Sequence, residues 1–221
     1  MNPTRRIAVT TGVIFIIATV AAVVAAALTP ALTGADYLIQ FSAHASQVAA
    51  GAIFYLIAAF TSAGIAVSMY PVMKRASAGL ALGSVVFRAL EGAMYMAAVV
   101  SLLSLLALGQ RFTAAGGADR ASLQAIGNSL VSVHDSASLV GVFAFCLGAF
   151  MYYYLFFQSR LIPRWLSVFG IGAIILMAAA CVMSLFSGNP ITGYIPLVLP
   201  IAEKKKLWAL WIRVTSRLGL V

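Results

Sequence analysis

Apolar runs of about twenty residues recur along this chain, and they constrain its fold more than any other feature. A bilayer's hydrocarbon core is ~30 Å thick, a depth that ~20 helical residues cross. Runs of that order stand at about residues 7–28, 47–69, 79–108, 136–157, 165–185 and 191–212. In lipid the backbone must satisfy its own hydrogen bonds, so such runs are helices. They consume nearly all of the 221 residues and leave no soluble domain of useful size. Composition agrees: 9% of the residues are charged, where a soluble domain carries about 25%. Mean hydropathy is +1.04. The sequence predicts an all-α, polytopic membrane protein, a single domain built as a bundle of six transmembrane helices.

Charge sets the orientation. The net charge of +9 would suggest nucleic acid in a soluble protein. Here the basic residues flank the spans, as cytoplasmic loops of membrane proteins require, so no nucleic-acid partner is expected. Arg5/Arg6, Lys74/Arg75, Arg160/Arg164 and Arg213/Arg217 fall at the amino end and after spans two, four and six. The loops after spans one and five hold no Lys or Arg, and the loop after span three holds Arg111 and Arg120 with Asp119. The pattern predicts both termini in the cytoplasm. Arg5-Arg6 before an apolar run resembles a signal peptide, but the run is longer than the ~7–15 residues of a signal core, so an uncleaved first helix is expected.

Turn-rich residues 29–36 follow the first span, and Tyr37 to Ser46 reads as a short interfacial segment. Tyr70-Pro71 is expected to stop the second span. Gly79-x-x-x-Gly83 opens the third with small-residue spacing that lets helices approach closely. Asp119 is placed to cap an amphipathic segment at about 119–133, where Leu123, Ile126, Leu130 and Val133 share a face. Tyr152 to Phe157 forms an aromatic belt at the end of span four. In the last segment Glu203-Lys204-Lys205-Lys206 interrupts the apolar run, at roughly 2.5–3.5 kcal/mol for each lysine at a membrane centre. The lysines either snorkel to the cytoplasmic headgroups or turn the segment back at the surface.

The third span holds the candidate site. Ser84, Arg88, Glu91 and Tyr95 are spaced 4, 3 and 4 apart, which places them on one helix face. Arg88 falls ~15 Å into the span, near mid-bilayer. An ionisable residue at that depth needs a partner or a purpose. Glu203 falls at a similar depth in the sixth span, and His134-Asp135 open the fourth on the outer side, with Ser138 one turn below. Depth alone allows a ladder from Glu203 to Arg88, to Glu91, and on to Asp135 and His134. The competing reading is that Arg88 and Glu91, three residues apart, neutralise each other and fix helix packing.

Other chemistry finds no footing. There is no Gly-rich phosphate loop, no zinc helix and no nucleophile elbow. Ser132, His134 and Asp135 point to different helix faces and form no triad. His44 and His134 offer no facing pair for haem, and Cys146 and Cys181 show no metal or disulfide spacing. They read as small packing residues. No catalytic residue, cofactor or metal is expected.

Phe87-Arg88-x-x-Glu91, His134-Asp135, the turn Ser159-Arg-Leu-Ile-Pro163-Arg164-Trp165-Leu166, and Glu203 followed by Ala209-Leu210-Trp211 give the chain a family resemblance. It resembles, over nearly its whole length, a bacterial family catalogued as domain-of-unknown-function family 4386. The resemblance implies six transmembrane helices in a bacterial inner membrane and no activity. Members similar to this chain carry apolar residues where Lys204-Lys205-Lys206 stand.

The function expected is a multipass protein whose central cluster binds or passes a small solute or a proton. In that reading Arg88 supplies a fixed positive charge, Glu91 a titratable carboxylate, and Asp135 with His134 an outer gate. The alternative is a scaffold, sensor or partner subunit in which the pair only orders packing, and an enzyme ranks below both. The expected partners are the lipid bilayer, a small solute or proton, and a second copy or another membrane protein.

Overall fold

The computed structural model describes residues 3–187, and the described residues are helical with short connections. The sixth run (191–212), with Glu203 and Lys204–Lys206, lies outside them. The elements are α1 (Pro3–Leu28), α2 (Tyr37–Ala43), α3 (Ala45–Met73), α4 (Ala78–Ala114), α5 (Gly117–Ser159) and α6 (Arg164–Ser187). All but α2 are long and apolar enough to cross a membrane, five in total. That suggests a membrane-embedded protein.

Burial follows the logic of lipid rather than of water. Large apolar side chains such as Phe15, Ile53, Phe60, Val67, Val100, Ile175 and Leu185 are exposed. Alanines such as Ala25, Ala52, Ala59, Ala66, Ala81 and Ala98 are buried. Lipid tails are as apolar as leucine, so helices gain little by hiding large side chains and associate through small ones that permit close contact. The exposed side of α1 is the fullest example, with Val13, Phe15, Ile16, Val20 and Val23 all outward.

Helix lengths depart from the spans in informative ways. With 37 and 43 residues, α4 and α5 are about 55 and 65 Å long at 1.5 Å per residue, roughly twice a bilayer core. The amphipathic segment 119–133 and the span 136–157 are thus parts of one helix. Because α5 begins at Gly117, Asp119 lies in its first turn instead of capping it, where its charge meets the helix dipole favourably. Pro71 does not stop α3, which continues to Met73. Near a helix end its missing N–H removes little, and the Tyr70 carbonyl accepts from Lys74 N at 2.9 Å just beyond it.

The described chain forms two compact units. The first gathers the described parts of Met1–Val13, Ala66–Phe87 and Phe145–Val221; the second is Ile14–Ile65 with Arg88–Ala144. The first unit has a core of Ala66, Met73, Ala81, Tyr152 and Leu155. There the sulfur of Met151 would lie 2.8 Å from a Cβ at Gly83, whereas Gly79 faces open space. The second unit is knit by α2, whose Tyr37, Leu38 and Phe41 are buried among Val48, Ala52, Val99, Leu102, Leu105 and Leu108. Close approach makes this wedge possible: a Cβ at Gly109 would stand 2.6 Å from the Leu38 carbonyl oxygen. The Tyr37 hydroxyl donates to Asn128 Oδ1 at 3.0 Å, tying α2 to α5. Burial pushes that phenol's pKa above the ordinary tyrosine value.

Candidate functional site

The polar cluster grows out of one close helix contact in the second unit. A Cβ at Gly92 of α4 would sit 3.0 Å from the Ala59 carbonyl oxygen of α3, so the two backbones nearly touch there. That approach brings Ser62, one turn along α3, to Glu91, the neighbour of Gly92. The Ser62 hydroxyl donates to Glu91 Oε2 at 2.9 Å. Arg88 Nη1 lies 2.8 Å from the same oxygen. The side chains of Arg88 and Glu91 are 11% and 5% exposed. A carboxylate this secluded is tolerable because a cation and a hydroxyl replace the water it has lost.

The remaining expected residues are spread more widely. The Ser84 hydroxyl turns back to the Ala81 carbonyl at 2.7 Å, in the first unit. The Tyr95 ring lies against α5, where a Cβ at Gly141 would stand 2.9 Å from its edge. His134 Nδ1 meets the Ala98 carbonyl oxygen at 3.0 Å and so links α5 to α4. With Nδ1 donating, the ring's Nε2 carries the acceptor lone pair in the neutral tautomer. Asp135 is exposed and Ser138 half-buried on α5. Glu203 lies outside the described residues. Of the expected ladder, the Arg88–Glu91 rung is present. Among the described residues, the next partner of Glu91 is Ser62 rather than Asp135 or His134.

Sequence reasoning overlooked two pairings. Ser62 carries no charge and sits in an ordinary span, but Ala59, Ser62 and Ala66 at spacings of 3 and 4 were a legible small-residue face. Cys146 and Cys181, both buried thiols, lie within hydrogen-bonding reach of each other between α5 and α6. The 35 positions separating them (181 − 146) hide that contact from any local pattern.

The chain belongs to the family described as a domain of unknown function (DUF4386), whose model matches residues 10–214. No curated protein and no solved structure matches it.

Proposed function

We propose that the protein is a multipass protein of the bacterial inner membrane, with six spans and both termini in the cytoplasm. Its role is that of a non-catalytic scaffold, sensor or partner subunit in which Arg88, Glu91 and Ser62 fix how α3 and α4 pack. The observation that carries this reading is the commitment of Glu91 to internal partners: Oε2 accepts from both Ser62 and Arg88. Close backbone contact at Gly92 supports it, because a transport path would need room where α3 and α4 nearly touch. Family membership and the five apolar helices support the membrane setting.

A second reading, that the cluster binds or passes a small solute or proton, has one observation in its favour. Both contacts on Glu91 fall on Oε2, so Oε1 keeps acceptor capacity for a proton or a solute donor. In that reading Arg88 holds the fixed charge and Glu91 titrates.

A thermal-melting panel on detergent-purified protein, run from about pH 5 to 8 with small solutes and ions, separates the two. Wild type is compared with Arg88→Gln/Glu91→Gln. The scaffold reading expects a flat solute panel and a lower melting temperature for the variant. A solute- or pH-dependent shift in wild type, absent from a variant that melts normally, would replace it with the transport reading.

A further inference from the structure

The first unit collects basic residues at one rim. Thr11 and Ser68 are joined through their hydroxyls at 2.8 Å, which sets α1 and α3 at one level. From there Arg5 and Arg6 lie about 8–9 Å back along α1, and Lys74 about 9 Å onward along α3. The close pass of Gly83 and Met151 levels α4 with α5 in the same way. Back from Gly83, α4 starts at Ala78, just after Lys74 and Arg75. Onward from Met151, α5 ends at Ser159, followed by Arg160 and by Arg164 at the start of α6. The buried cluster of Met73, Ala81, Tyr152 and Leu155 binds these helix ends together. Arg5, Arg6, Lys74, Arg75, Arg160 and Arg164 therefore border one end of the unit, and all are exposed.

Among the described residues the first unit holds no carboxylate to balance them: Asp36, Glu91, Asp119 and Asp135 all belong to the second unit. Two of the rim cations rest on aromatic rings. Lys74 Nζ lies 5.6 Å from the centre of Tyr70, and the Arg164 guanidinium 5.1 Å from that of Phe157. Exposed apolar side chains adjoin them along the chain, at Tyr154, Leu161, Trp165 and Phe169. Cations set over aromatic rings, with exposed apolar side chains adjoining, occupy the depth of phospholipid headgroups.

We propose that this rim binds the phosphates of anionic phospholipids in the leaflet around it. The continuity of charge, aromatic ring and apolar surface selects a lipid over a soluble polyanion, which would use the cations and leave the apolar border unused. The basic residues act together, each adding attraction to an anionic membrane surface. The proposal stands independently of the role of Glu91.

The test is native mass spectrometry of the full chain, purified in detergent and mixed with equal amounts of phosphatidylglycerol and phosphatidylcholine. Lys74→Gln/Arg75→Gln and Arg160→Gln/Arg164→Gln are compared with Arg111→Gln/Arg120→Gln, whose exposed cations belong to the second unit. Wild type should retain phosphatidylglycerol preferentially, and each rim charge removed should weaken retention about fivefold. The second-unit variant should retain it as wild type does. Raising salt from about 0.05 to 0.5 M should weaken retention by wild type, a readout that needs no variant. Equal retention of the two lipids, equal loss in Arg111→Gln/Arg120→Gln, indifference to salt, or displacement by soluble glycerol phosphate at the lipid's own concentration would each overturn the proposal.

Discussion

Replacing Glu91 by Gln keeps the shape of the side chain and removes its charge. The Arg88 guanidinium then stays 11% exposed without its carboxylate, and the Ser62 hydroxyl faces a neutral amide. Breaking a buried ion pair from one side costs about 3–5 kcal/mol in soluble proteins. The long Arg88 side chain can swing part of its charge toward a wetter layer, which lowers the expected loss to about 2–3 kcal/mol. Ser62→Ala removes one hydrogen bond between helices. Such bonds average ~0.6 kcal/mol within membranes and reach ~1.7, and the charged acceptor argues for the upper half, about 1 kcal/mol.

Coupling is the decisive quantity. Arg88→Gln/Glu91→Gln removes both charges together, so it should cost less than the two single changes added, by about 1–2 kcal/mol. An apolar exchange of similar volume, Arg88→Met/Glu91→Leu, should unfold close to wild type. Reversible unfolding in mixed micelles at constant lipid composition reads all of these. Additive single losses, or an apolar exchange as damaging as Glu91→Gln alone, would refute the view that Arg88 and Glu91 act as one compensated unit.

Other perturbations test the packing around it. Gly92→Ala should cost about 1–3 kcal/mol by forcing α4 off the Ala59 carbonyl, whereas Gly172→Ala on open α6 should be neutral or gain up to ~1 kcal/mol; unfolding in the same micelles compares them. Tyr37→Phe should cost about 1 kcal/mol at neutral pH through loss of the Asn128 bond. Because burial raises the Tyr37 pKa, its contribution is intact below the ordinary value of 10.0 and fades as pH rises through the raised one. Wild type should therefore lose stability above about pH 10 more steeply than Tyr37→Phe when unfolding is followed upward from neutral pH. Copper–phenanthroline should join Cys146 to Cys181, whose thiols already lie within reach of each other, leaving neither for alkylation after denaturation, and Cys146→Ala should restore alkylation of Cys181.

What could be read from the sequence divides along physical lines. Apolar run length reports on the solvent a helix needs, so the long helices α1, α3, α4, α5 and α6 were legible. The pairing of Arg88 with Glu91 was legible because both sit on one helix, where three residues fix the geometry. Its third member was not, because contact with Ser62 depends on which helix lies alongside α4 and how closely. The ladder toward His134 and Asp135 failed to anticipate this for the same reason: span position estimates depth and carries no information about neighbours. The joining of segments 119–133 and 136–157 into one α5 was hidden because run length marks where a helix meets lipid, not where it begins.

Arg88 and the rim arginines show why a positive charge in a membrane protein has to be judged by its surroundings. Arg164 is exposed over an aromatic ring at a helix start, so its charge is open to the surroundings. Arg88 lies inside α4, and its counter-charge had to be encoded in the chain, three residues away at Glu91. The carboxylate then needed a further donor, and the helix contact at Gly92 and Ala59 supplies Ser62. The charge pair and the small-residue contact thus depend on each other: without the glycine the hydroxyl stays out of reach. Lengthening the side chain at position 92 should therefore weaken the Arg88–Glu91 coupling itself, an effect that distinguishes one joint device from two neighbouring ones.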